Sequence, residues 1–200
     1  MKNKVLKIVL AILILAVVAV AVVFGILKLT AKNPADSVTG LVECLKDGDF
    51  QGANVYVNGD NTEALGIDSE TEDIEMIKLF FTNLNLNIVE VTKDKDQAIV
   101  KAEITNKDLN TIMQNYMKKA LELAMSSINT SSTTEDMETQ LQEYFKSQFT
   151  STEIENVTTS VDIVLTKVDK EWKVVIDEAL RDALLPGLSE LSNLYSTTTV

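Results

Sequence analysis

Residues 8–27 form a run of twenty residues without charge or proline, with Lys2, Lys4 and Lys7 immediately before it. At about 1.5 Å per residue, a helix of that length spans roughly 30 Å, the thickness of the hydrocarbon layer of a bilayer. Gly25 is its one interruption, and membrane helices tolerate glycine. The run is longer than the roughly 7–15 apolar residues of a secretory signal. Lys28 follows it directly, with no convincing small-x-small cleavage site. A retained transmembrane anchor at 8–27 is therefore expected, with a tip at 1–7 and a linker at 28–33. The only cysteine, Cys44, lies well beyond the run, and Glu43 before it spoils a lipid-attachment motif.

Charge orients this anchor. Three lysines precede it and two, Lys28 and Lys32, follow closely, so the positive-inside rule favours a cytoplasmic N-terminus and an extracytoplasmic remainder. Residues 28–200 hold fifteen of the eighteen Lys and Arg and all thirty Asp and Glu, a formal charge of −15. Such a surface repels nucleic acid and anionic headgroups, which excludes nucleic acid as a partner and leaves the membrane as a partner only through 8–27. A single cysteine cannot staple a fold internally. Seventeen Lys against one Arg fits an AT-rich bacterial genome, and a disulfide-free bacterial cell-surface domain fits both observations.

The remaining length suits one domain, expected over 34–195, with 196–200 as a disordered tail. Asn33-Pro34-Ala35-Asp36 opens a helix: Asn33 at the cap, Pro34 at the first position, Asp36 at the positive end of the dipole. Val38, Leu41, Val42 and Leu45 then recur at helical spacing, and Gly48 ends the helix. Asp49 caps a short second helix through about Ala53. Ser69 with Glu72 reads as a capping box before a third helix striped by Ile74, Ile77, Phe80, Phe81 and Leu84. The period then changes. Leu86 and Ile88 alternate, Lys93-Asp94-Lys95-Asp96 turns, and Ala98, Val100, Ala102 and Ile104 alternate again, a hairpin with one buried face. Helical spacing returns over 107–149, in two pieces about a Ser/Thr-rich stretch. A second hairpin follows, Val161, Ile163 and Leu165 turning at Asp169-Lys170 to Trp172, Val174 and Ile176. A last helix starts near Glu178 and is interrupted at Pro186-Gly187.

This order of elements is an α+β plan. The segment from Pro34-Ala35-Asp36 to Lys46-Asp47-Gly48-Asp49-Phe50 resembles the opening helix of nuclear-transport-factor-2-like (NTF2-like, cystatin-like) domains. Lys167-Val168-Asp169-Lys170-Glu171-Trp172-Lys173-Val174 is similar to their closing hairpin. The resemblance covers about 34–185 and points to the uncharacterised membrane-attached bacterial members. It implies a curved antiparallel sheet wrapped on helices into a cone, with 107–149 as a helical insertion between hairpins. A first strand is not evident around Val55 and Val57. Phe81, Tyr116, Met117, Trp172 and Val174 are the residues expected to line a pocket in such a cone.

No catalytic residue emerges. The chain has no histidine, which removes the usual proton shuttle, His-activated nucleophiles and most transition-metal sites. Asp47-Gly48-Asp49-Phe50-Gln51-Gly52 imitates a calcium loop, but Asn58 stands where a bidentate Glu is required, so helix capping explains it better. Glu70, Glu72, Asp73 and Glu75 are what a helix N-terminus attracts. Met113, Met117, Met125 and Met137 read as core filling, or alternatively as a lid or partner-binding element. No cofactor and no metal are expected.

The expectation is thus a single-pass, membrane-anchored, extracytoplasmic domain that binds a small ligand or a protein partner without catalysis. The alternatives are an isomerase- or hydrolase-type enzyme with an Asp/Glu–Tyr pair in the cone, and a structural envelope protein. Residues 33–200, produced without the apolar run, should be soluble and melt cooperatively by circular dichroism. An insoluble fragment, or one without a melting transition, contradicts the single-domain reading.

Overall fold

Two alternating apolar stretches, each folded back on itself, build the sheet. In the computed structural model, which describes residues 33–67, 74–127 and 134–191, the strands are β1 (Asn85–Asp94), β2 (Gln97–Lys107), β3 (Asn156–Val168) and β4 (Glu171–Val174). They pair antiparallel in the order β1-β2-β3-β4, an open sheet. Ala98, Val100, Ala102 and Ile104 of β2 are buried, as are Val161, Ile163 and Leu165 of β3 and Trp172 and Val174 of β4. The opposite face is solvated. It carries the Glu90–Lys101 ion pair at 3.3 Å, the Asn87–Glu103 hydrogen bond at 2.9 Å and the Thr105–Thr158 bond at 2.8 Å. One face packed and one wet is the usual state of an antiparallel sheet.

The turns follow local chemistry. Asp169 and Lys170 have φ of 51° and 70°, the two positive values that a two-residue hairpin of matching twist requires. A bulge between Ile88 and Glu90 corrects the parity of β1. Ile88 lies opposite Ala102 and Val91 opposite Val100, so both share the packed face, while Val89 is left 62% exposed.

Helix α1 (Pro34–Asp47) lies on the packed face, with Val38, Leu41 and Leu45 each at most 1% exposed. Each such burial contributes about 1.5–3 kcal/mol. Pro34 occupies the start of the helix as expected, but Asn33 does not cap with its side chain; its backbone carbonyl accepts from Asp36 N at 3.0 Å instead. At the other end Gly48, with φ 76°, lets its own N–H reach Leu45 O and the Asp49 N–H reach Cys44 O. Asp49 then caps α2 (Phe50–Ala53) by accepting from Gly52 N at 2.8 Å, the role expected of it over calcium binding. Cys44 is 2% exposed and belongs to the core. After a 3₁₀ turn (Asn54–Tyr56), Val57 makes a parallel bridge to Val174, and Asn58 N donates to Val174 O at 2.8 Å. Residues 55–57 add this one bridge to the outer edge of β4, and Val55 O accepts from Lys173 Nζ of that strand.

Helix α3 (Asn61–Leu65) was not evident in the apolar pattern. Helix α4 (Ile74–Leu79) is shorter than its stripe implied. Phe80, Phe81 and Thr82 donate three residues back, to Ile77, Lys78 and Leu79, so the chain tightens into turns before Leu84. The Ser69–Glu72 capping pair lies outside the described residues, as does the 8–27 run. Among the described residues no helix is long and apolar enough to cross a membrane. Helix α7 (Glu178–Leu184), capped by Asp177 accepting from Leu180 N at 2.9 Å, covers the rest of the packed face through Leu180, Ala183 and Leu184. Side chains of α1 and α7 thereby pack on the inner face of the sheet, with a cavity of about 700 Å³ left between Ala102, Val161 and α7.

Gly40 and Tyr56 make a close approach: a Cβ on Gly40 would overlap the Tyr56 ring. Gly40→Ala should cost about 1–3 kcal/mol by overpacking, read as a lowered urea midpoint, and an unchanged midpoint would contradict the contact. Burial, with Cys44, Glu43 and Asp49 nearby, raises the Tyr56 phenol above 10.0. The unfolded chain then loses this proton at lower pH than the folded one. The neutral phenol's contribution to stability is complete below pH 10 and is lost as pH rises through the folded value. Tyr56→Phe should flatten that alkaline loss; a variant with the wild-type slope would contradict it.

Candidate functional site

The candidate site is built where the sheet ends and the helical pair begins. β2 runs out in Asn106 and Lys107, buried at 1% and 7% exposure. The Asn106 side-chain amide donates to Phe80 O at 2.8 Å and to Leu184 O at 2.7 Å, and its carbonyl oxygen accepts from Lys107 N at 2.8 Å. Lys107 Nζ donates to Ser151 O at 2.8 Å and Ile154 O at 2.6 Å, just beyond the following helical pair. A cation is well placed there, because the helix ending at Thr150 directs its negative end towards it.

That pair is α5 (Leu109–Ser127) and α6 (Thr134–Thr150), which leave and re-enter the sheet between β2 and β3. Asp108 starts α5: its carboxylate accepts from Asn110 N at 3.0 Å and Thr111 Oγ1 at 2.6 Å. Leu109 N donates to Pro186 O at 2.9 Å, and Gly187, at φ 90°, sits where a Cβ would strike Asn110. The helices pack on each other and, through α6, on α4. Edge-to-face rings make the seam: Phe80 with Phe145 and Phe149 at 6.0 and 5.4 Å between centroids, Phe145 with Phe149 at 5.2 Å, and Tyr116 with Phe145 at 5.5 Å.

α4, α5 and α6 enclose a groove of about 640 Å³. Met76, Ile77 and Phe80 form one wall, Met113 and Tyr116 the second, and Leu141, Gln142 and Phe145 the third. Glu138, exposed on α6, is the one carboxylate among the described lining residues. On the other side of the α5–α6 pair a polar cleft of about 460 Å³ includes Lys118, Lys119, Glu122 and Glu153. Among the described residues no three His, Cys, Asp or Glu side chains are grouped to hold a metal ion.

Of the residues expected to line a pocket, Tyr116 is in the groove wall. Phe81, Trp172 and Val174 lie in the core, at 0%, 6% and 0% exposure. Met117 is 55% exposed on α5, one turn before Leu121 and two before Met125, which are similarly exposed. These methionines therefore do not fill the core, and Met113 turns into the groove instead. The other groove residues, Met76, Ile77, Phe80, Met113, Glu138, Leu141, Gln142 and Phe145, are not among those expected to line a pocket. Their helical spacing was visible, but not that three segments far apart in the chain would converge.

The chain matches no family model and no curated protein. Among solved structures it is similar to a candidate lipoprotein (ycdA) of Bacillus subtilis, at 18% identity and a TM-score of 0.42. The match covers 80% of this chain and 48% of that protein, so the chain spans about half the length of that structure.

Asn106→Ala should cost about 1–3 kcal/mol, because two buried carbonyls and a buried N–H lose their partner. Hydrogen exchange should speed up in α4 and α7 together. Faster exchange confined to β2 would contradict the bridging role of this side chain.

Proposed function

We propose that the chain is a membrane-anchored, extracytoplasmic ligand-binding domain of the NTF2-like type, with the groove between α4, α5 and α6 as its binding site and no catalytic step. The anchor rests on the 8–27 run, and the extracytoplasmic side on the lysines before it. The opening helix with its Gly48-Asp49 ending and the closing Trp172 hairpin support the NTF2-like assignment.

The observation that carries the binding function is the groove itself. Its volume falls within the roughly 300–1,000 Å³ of small-molecule sites, and its lining is aromatic, aliphatic and methionine with few polar groups. Methionines and edge-on rings adapt to varied apolar shapes. The enzyme alternative has one observation in its favour, since Glu138 and Tyr116 share this groove. It requires a buried carboxyl to work as a tuned acid or base, and Glu138 is exposed. Binding is therefore the better reading.

Filling the groove tests this. The full-length chain in zwitterionic lipid nanodiscs should bind an uncharged arylalkyl probe, seen by saturation-transfer NMR against empty nanodiscs. Met113→Trp should abolish that signal while leaving the melting temperature within a few degrees. Equal binding by the variant, or no binding by the wild type, contradicts the proposal.

A further inference from the structure

We infer that the groove's ligand is a small cationic amphiphile: an apolar body that fills the groove and a single ammonium group held at Glu138. This rests on the reading of the groove as a binding site and names the class of its ligand.

Three observations lead to it. The described lining carries one formal charge, the Glu138 carboxylate, and no Lys or Arg. A fatty acid or other anionic amphiphile would thus meet a like charge at the mouth, with no cation to receive its head. Residues 28–200 add to this with a formal charge of −15, which draws cations towards the domain and repels anions.

The rings contribute second. Phe80, Tyr116 and Phe145 all line the groove, and an ammonium group near their faces gains cation–π attraction in addition to the carboxylate. The same chemistry already occurs elsewhere in the molecule, where Lys119 Nζ stands 6.0 Å from the Tyr144 ring and Lys167 Nζ 5.4 Å from the Trp172 ring.

Position is the third. Helix α1 begins beside β4, where Ser37 Oγ donates to Trp172 O at 2.7 Å, near the end of the sheet that holds the Asp169-Lys170 turn and the β1–β2 turn. The groove lies at the opposite end, where Asn106 meets Phe80 and where α5 departs. Pro34, the residue at which the proposed tether would join the domain, therefore lies at the end of the sheet away from the groove. A ligand dissolved in water fits that placement better than a membrane phospholipid.

The test compares three arylalkyl probes that differ only in the head group: trimethylammonium, the uncharged tert-butyl isostere, and sulfonate. Each is titrated against the full-length chain in zwitterionic nanodiscs, with empty nanodiscs as the blank. The ammonium probe should bind most tightly and the sulfonate least. An exposed carboxylate–cation pair contributes about 0.2–1 kcal/mol, so Glu138→Gln should weaken the ammonium probe by about 1.4-fold to fivefold and leave the tert-butyl probe unchanged. Higher salt should reduce the ammonium preference in the wild type. If all three probes bind alike, the groove binds ligands but the inference about charge is overturned. If the ammonium preference survives Glu138→Gln, the role assigned to Glu138 is overturned. If no probe binds, the reading of the groove itself fails.

Discussion

Near the end of β2 the Asn106 amide reaches two carbonyls that no strand serves, Phe80 O after α4 and Leu184 O at the end of α7. A buried carbonyl without a partner costs more than a hydrogen bond returns, so this one side chain fixes how two helical segments meet the sheet. Lys107 does the same for the chain beyond α6, through Ser151 O and Ile154 O. Two consecutive residues thus connect α4, α6 and α7 to one strand. The groove exists because this junction holds α4 beside the helical pair without closing the space between them.

Away from the junction the forces are ordinary. α1 and α7 cover one face of the sheet with aliphatic side chains, and the solvated face carries charge pairs and threonines. A cavity of about 700 Å³ remains where β2 and β3 meet α7, lined by Ala102, Val161 and Ala179 among others. The candidate groove lies instead between helices, where Phe80, Tyr116 and Phe145 meet edge to face. The rigid part of the fold and the candidate binding part are therefore built from different elements.

Much of the rigid part was legible in the sequence. Period-two alternation placed β2, β3 and β4, and Pro34, Gly48 and Asp49 marked helix ends where they occur. The bulge at Val89 was not legible, because Leu86, Ile88 and Val91 fit neither parity alone. α4 was overextended, because Phe80 and Phe81 keep helical spacing although their N–H groups bond three residues back. The groove was the least visible feature. A stripe such as Met113, Tyr116, Met117 shows that a helix has an apolar side, but not whether that side meets a core, a cavity or water. Met113 and Tyr116 meet the groove and Met117 meets water. The helical period is the same in each case, and only the packing of α4 and α6 separates them.

The central claim is that the groove holds a small ligand with an apolar body. Native mass spectrometry of the full-length chain, gently extracted from its own membrane, tests this most directly when run beside the Met113→Trp form. The account predicts an added small mass on the wild type that disappears on denaturation and is missing from the filled variant. A wild type without added mass, or the same adduct on both forms, would contradict it.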